Sequence, residues 1–388
     1  MRPIPVTHQT NSTKNVPASG AAPAATGLAI LLMVVFLIAP EAVISQDIDQ
    51  LLSRMQSANS RTTYQGTLTT VIVNTPCPII YQYKIINYGN HLRHEEALTQ
   101  GIQKEISYDD GQYLWRFFPH KRLLLKERSC KTDLGVPNAQ ETLQLVRDNY
   151  SINVAGIFSI KGRSGYRLRF RPRTDDRPQQ VFWIDEATGI PFKIEKYGPD
   201  NHLVSVSSFS DLQFGTFQPQ QPFLKVPPQT FVAEVSEQSN LTLNKAHGLM
   251  GASILVPRYL PPGFVRKNIC IRNQGTKKVL QFFYTDGLSS LSLFQTPTAT
   301  TAPATSSHLP TKKTDISSMP NSGFFRASGT LNTLTVTTEP MTSTVMGEIF
   351  KNQMTKVAQS LAPSPFSTPH QNPSAPSPLT TIPLENHQ

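Results

Sequence analysis

Four groups of side chains could do chemistry in this sequence, and the spacing of each limits what that chemistry is. The stretch HLRHEE at 91–96 brings His91, His94 and Glu95 within five residues, a set of metal-ligand types. Its order is neither H-E-x-x-H nor H-x-x-E-H, and it falls in a segment that reads as strand, where residues three apart point to opposite faces. An exposed polar strand is the better reading, and no metal site is assigned. Arg167, Arg169, Arg171 and Arg173 alternate with other residues, so a strand would carry all four guanidinium groups on one face. Such a row either faces solvent or holds phosphate or carboxylate groups through paired N–H donors; Arg167, Arg169 and Arg171 are the candidates for an anionic ligand or partner.

The third group is aromatic. Tyr113, Trp115, Phe117, Phe182, Trp183 and Phe192 spread over neighbouring strand segments. Trp115, Phe117, Trp183 and Phe192 are the candidates to line a cavity for an acyl chain, with an ordinary core as the alternative. The last group is cysteine: three in the chain exclude a four-cysteine zinc site and a small disulfide scaffold. Cys77 and Cys130 would close a loop worth ~4 kcal/mol as a disulfide; otherwise all three thiols are buried.

Nothing in the sequence assembles a catalytic centre. There is no G-x-S-x-G elbow, phosphate-binding loop or dinucleotide fingerprint, and carboxylates such as Asp185 and Glu186 sit in a turn where water would solvate them. No catalytic residue and no cofactor is therefore assigned, and the chain is not read as an enzyme. Lys+Arg 36 against Asp+Glu 26 leaves a net charge of +10, and residues 116–177 alone hold 14 basic against 6 acidic side chains. This balance suits anionic partners. Nucleic acid is not expected among them, because neither a recognition helix nor a zinc module is present.

The elements that would position these groups follow from periodicity. Ile48, Leu51, Leu52, Met55 and Ala58 recur at helical spacing, with Asp47 placed to cap the helix. Alternating segments at 64–73, 79–88, 91–97, 103–108, 112–118 and 122–127 read as an antiparallel meander, with tight-turn residues at Gly89-Asn90 and Asp110-Gly111. Asn138 and Glu141 open a second helix whose face continues through Leu143, Val146 and Tyr150. Further strands at 153–161, 166–171, 180–184, 191–196 and 203–214 complete a large curved antiparallel sheet wrapped around helices. A smaller α+β domain follows, with strands from 254 to 294 and from 323 to 337, and a helix at 347–361.

Proline sets the remaining boundaries. The chain has 32 of them in 388 residues, above the usual ~5%. The sequence divides into an export segment at 1–45, a first domain at 46–232, a linker at 233–248 and a second domain at 249–361. Within the second domain a Thr/Ser/Pro-rich insertion at 296–322 has no apolar period, and a Pro-rich tail occupies 362–388; both have the composition of disordered segments. The apolar run 27–39 is too short to span a bilayer and suits a signal peptide cut before Gln46, or an uncleaved anchor. Either way the rest of the chain is exported, which also permits a disulfide.

With these elements in place, a resemblance becomes visible. GYRLRFRPRTDDRPQQVFWIDEATGIPFKIEKYGPDNHLVSVSSFSDLQFG at 165–215, the Leu51-Leu52-x-x-Met55 helix and Tyr64-Gln65-Gly66-Thr67 resemble the periplasmic MucB/RseB regulators and, more distantly, LolA-type lipoprotein carriers. The second domain adds Leu260-Pro261-Pro262-Gly263-Phe264, the run from Phe283 to Phe294, Val345-Met346-Gly347-Glu348 and Val357-Ala358-Gln359-Ser360-Leu361, which are similar to MucB/RseB signatures and have no counterpart in the carriers. The resemblance implies an α+β fold, a LolA-like half-barrel followed by a smaller α+β domain. It also implies a periplasmic protein that binds the periplasmic domain of a membrane anti-sigma factor and shields it from proteolysis, with lipid or lipopolysaccharide as the releasing signal. A lipid or lipoprotein carrier is the alternative. The insertion, the tail and the pair Cys77 and Cys130 depart from the family pattern.

Overall fold

The computed structural model describes residues 41–73, 77–89, 92–98, 105–129, 139–160, 162–217, 226–274, 277–298, 323–328 and 330–364. The apolar run, Cys130, and most of the Thr/Ser/Pro-rich insertion and Pro-rich tail lie outside the described residues. From Gln46 onward the chain forms one compact unit.

Helix α1 (Glu41–Arg61) leads into β1 (Tyr64–Ile72), β2 (Ile79–Gly89), β3 (Leu92–Ala97), β4 (Ile106–Asp109), β5 (Tyr113–Phe118) and β6 (Leu123–Arg128). Helix α2 (Ala139–Asn149) is followed by β7 (Tyr150–Ile160), β8 (Arg163–Pro172), β9 (Gln179–Asp185), β10 (Pro191–Tyr197), β11 (Leu203–Phe209), β12 (Gln213–Phe214) and β13 (Phe231–Glu234). These thirteen strands form one sheet in the order β13-β6-β5-β4-β3-β2-β1-β11-β10-β9-β8-β7, with β12 also paired to β1. All pairs are antiparallel except β13 with β6. Asp47 does not begin the first helix as the sequence suggests. The helix already includes Glu41 to Gln46, which contain no glycine or proline that would stop it.

The alternation of β8 explains the core of this sheet. Leu168 and Phe170 point to one face and are fully buried with Phe182 and Ile184 of β9 against Leu51 and Leu52 of α1 and Val146 of α2. Arg167, Arg169 and Arg171 necessarily point to the other face. Further along the same helix Ala58 packs with Tyr64, Ile85 and Ile190. Gly189 passes so close to the α1 backbone that a Cβ would lie 2.8 Å from the Arg54 carbonyl, and its φ of +75° is one that glycine adopts freely.

The second sheet begins one residue after β13. It comprises β14 (Ser236–Gln238), β16 (Val265–Gln274), β17 (Lys277–Thr285), β18 (Ser290–Pro297), β19 (Gly323–Ser328), β20 (Leu331–Thr338) and β21 (Met341–Gly347), in the order β14-β16-β17-β18-β21-β20-β19. Strands β15 (Leu255–Pro257) and β22 (Leu361–Pro363) pair separately. Helices α3 (Leu243–Met250) and α4 (Lys351–Gln359) contribute Ala246, Met250, Met354 and Val357 to its core, against Leu280, Phe282, Leu293 and Val345. The segment 233–248, read from sequence as a linker, holds the end of β13, all of β14 and the start of α3.

Candidate binding sites

Where the two sheets meet, a buried polar cluster joins them. The turn between β17 and β18 is shaped by its own side chains: Asp286 Oδ1 accepts from the N–H groups of Leu288 at 2.9 Å and Ser289 at 2.6 Å. That leaves Oδ2 aimed at the first sheet, where it accepts from the hydroxyl of Tyr150 at 2.6 Å and from Arg177 Nη1. Arg177 also donates to Asp176 through Nε at 2.6 Å and Nη2 at 3.0 Å, to Thr174 Oγ1 and to the Pro262 carbonyl, while its plane lies over the Phe264 ring. The Arg177 and Asp286 side chains are 1% and 0% exposed, so this is an ion pair withdrawn from water. Burial works against the charge on Arg177, but the bonds to Asp176 and the charge of Asp286 outweigh it and hold the guanidinium ionised. The Tyr150 hydroxyl is pushed well up by burial and by Asp286 beside it. Bonds to backbone carbonyls reinforce the junction: the Phe350 N–H donates to the Asp176 carbonyl at 2.9 Å, and the Asn149 side-chain Nδ2 donates to the Asp286 carbonyl at 3.0 Å. Lys196 of β10 pairs with Glu348, which follows β21, and Lys267 of β16 pairs with Glu141 of α2.

Beside this cluster lies a pocket of about 270 Å³, lined from β8 by Arg169 and Arg171, from the following loop by Thr174 and Arg177, from the β10–β11 turn by Asn201, and from the C-terminal segment by Phe350. Of the three arginines proposed from sequence, it takes two. Arg167 instead sits over the Trp183 ring, its guanidinium carbon 5.6 Å from the centroid.

The aromatic candidates separate into two places. Phe192 lines a cavity of about 470 Å³ with Phe158, Phe209, Leu212 and Phe214, and the Arg163–Asp185 ion pair forms part of its wall. Trp183 packs at its edge, 5.3 Å from Phe158 and 6.5 Å from Phe192 between ring centroids. Burial would raise the Asp185 pKa, but Arg163 and Thr188 outweigh it and hold the carboxyl below its ordinary 3.8. Trp115 and Phe117 share a sheet face with Trp183 by register. Seven strand spacings separate β5 from β9, about 34 Å along the sheet, so they do not line the same cavity. Phe117 is buried, and Trp115 is half-buried beside Tyr113.

His94 lies on β3 opposite Tyr108, and its pKa is lowered by burial. Among the described residues no group of three or more His, Cys, Asp or Glu converges as metal ligands. Cys77 is exposed, and the pairing proposed for it involves Cys130, which lies outside the described residues. Cys270 is buried, and burial pushes its thiol up to about 12. No described helix is long and apolar enough to cross a membrane.

Sequence reasoning did not identify the Arg177–Asp286–Tyr150 cluster. Tyr150 reads as the end of a helical face yet opens β7, and Asp286 reads as a turn residue. The available signals were the isolated Arg177 after the arginine row and the Thr285-Asp286-Gly287 turn, but nothing in their local spacing links them.

Two sheets, an aromatic cavity on the first of them, and a polar junction with an arginine-lined pocket beside it describe an α+β protein. Residues 47–235 match the MucB/RseB N-terminal domain, so the first sheet of this chain is a domain of the MucB/RseB family. No curated protein sequence matches it. Among solved structures, the chain is similar to MucB in complex with the periplasmic part of MucA, at 17% identity and a TM-score of 0.53, covering 81% of this chain and 98% of that one. It is also similar to MucB in the MucA/MucB complex of Pseudomonas aeruginosa, at 19% identity and a TM-score of 0.52, covering 82% and 99%, and to MucB alone, at 17% identity and a TM-score of 0.51, covering 82% and 98%. At these identities the likeness is one of fold, and it extends over both sheets.

Proposed function

We propose that this chain is an exported, periplasmic regulator of an extracytoplasmic sigma factor pathway. It binds the periplasmic segment of a membrane anti-sigma factor and shields that segment from proteolysis. The observation that carries this reading is the family match of residues 47–235 together with a fold likeness spanning nearly the whole of MucB, including MucB bound to MucA. The test is capture of the periplasmic segment of a single-pass anti-sigma factor by the purified chain, followed by protease challenge of the complex. Binding with slowed cleavage is the expected result. Failure to bind any such segment encoded beside this chain, with envelope-stress transcription unchanged on its deletion, would sink the reading.

The aromatic cavity favours a second, compatible reading in which a lipid or lipopolysaccharide acyl chain enters it and releases the partner. Such a ligand can shift the equilibrium only by binding the released form more tightly. A carrier role is the rival use of the same cavity. Mass spectrometry of ligands copurifying with the chain separates them: a stoichiometric acylated cargo favours the carrier, whereas an empty cavity whose loading weakens partner binding favours the sensor.

A further inference from the structure

We propose that the pocket formed by β8 and the β10–β11 turn, against Phe350, is a binding site for a phosphate group, held by Arg169 and Arg171. Three arginines line it, and they are not equivalent. Every nitrogen of Arg177 already donates to the chain itself, to Asp176, Asp286, Thr174 and the Pro262 carbonyl. Arg169, in contrast, has a buried Nε with no hydrogen-bond partner, a feature it shares with Arg167 outside the pocket, and neither Arg169 nor Arg171 forms an ion pair among the described residues. A buried guanidinium N–H without an acceptor is costly, and an oxyanion in the pocket would satisfy it. Asp175 is the single carboxylate in the lining and is exposed.

The pocket's other polar groups complete a donor set. Gln179 Nε2 donates to Asn201 Oδ1 at 3.4 Å, which fixes the Asn201 side chain and leaves its amide nitrogen to donate. Alternate residues on a strand are roughly 6.6 Å apart, so two long guanidinium side chains can converge on one group between them. A carboxylate, with two oxygens and one charge, is filled by a single bidentate guanidinium. A phosphate, with more oxygens and a charge of about −1.5 to −2 at neutral pH, matches two. A cavity of about 270 Å³ is larger than this group needs and leaves space beside Pro199 and Phe350 for whatever is esterified to it. The site is distinct from the aromatic cavity and does not depend on the partner proposed above.

The experiment is calorimetric titration of the purified full chain at fixed ionic strength, with inorganic phosphate in one arm and glycerol 3-phosphate in the other. Saturable binding in at least one arm is expected; tighter binding of the ester identifies an esterified phosphate as the source, and equal binding identifies the free ion. Arg169→Ser and Arg171→Ser should each weaken binding roughly tenfold or more, the scale of a lost charge-assisted bond. Arg167→Ser, which removes a neighbouring charge of the same face, should leave it unchanged. Arg171 is exposed, so its variant decides the matter even if the Arg169 variant folds poorly, and a thermal melt of each variant confirms folding. No saturable binding in either arm overturns the proposal. So does an equal loss in the Arg167 variant, which would indicate only a diffuse basic surface.

Discussion

Arg177 and the pair Arg169 and Arg171 are neighbours of the same chemical type with opposite situations. Each of the three nitrogens of Arg177 donates to its own chain, and the side chain is withdrawn from water between the two sheets. Arg169 and Arg171 face an open pocket with no acidic partner among the described residues. An arginine whose bonds are completed internally stabilises the fold, and one whose bonds are left open is available to something else. Arg163 falls between these cases: it is 43% exposed and grips Asp185, which is buried.

That contrast orders the expected effects of mutation. Arg177→Ala strips a buried ion pair of one member and leaves Asp286 and Asp176 uncompensated, so it should cost about 3 to 5 kcal/mol in urea unfolding. Combining Arg177→Met with Asp286→Asn should recover part of that loss; a double variant no better than the single one would mean the contacts of Arg177 matter more than its charge. Tyr150→Phe removes one hydroxyl from Asp286 and should cost about 2 kcal/mol by the same measurement.

The Arg163–Asp185 pair should reveal itself through pH. Asp185 is held below its ordinary 3.8, so its stabilisation is fully present above that value and is lost as pH falls through the lowered one. Asp185→Asn should therefore flatten the acid limb of a stability-against-pH curve below about pH 4 and change little near neutrality beyond a constant offset. The smallest effect is expected at the pocket: Arg171→Ser should change stability by less than about 0.5 kcal/mol, as measured by chemical denaturation. A large loss there would place Arg171 with Arg177 and break the comparison.

Much of the first sheet was legible because its signals are local. The period-two arrangement of Leu168 and Phe170 against Arg167, Arg169 and Arg171 fixes which side is core and which is free, and the sheet faces follow that pattern. The Leu51-Leu52-Met55 face likewise marks what packs on the sheet, although the helix already includes the six residues before Asp47. The junction was not legible. Asp286 meets Tyr150 across 136 residues of sequence and Arg177 across 109, and such pairings leave no periodicity behind. Strand β14 was missed for the same reason, since three residues show little pattern and they pair with a distant strand. The pocket needs Phe350 from the C-terminal segment, which no reading confined to β8 supplies.

The crossing from one sheet to the other has a mechanical consequence. Glu234 is the last residue paired to β6 and Ser236 the first paired to β16, with Val235 alone between them and its own N–H bonded to the Lys126 carbonyl at 2.8 Å. Two residues of chain reach at most roughly 7 Å, so the passage has no slack to pay out under tension. Any force that drags the C-terminal sheet away must load β13 in shear against β6, or peel β14 from β16, from the first few ångströms of movement. The connection behaves as a taut strap, and displacement on one side arrives on the other as strain in four paired residues.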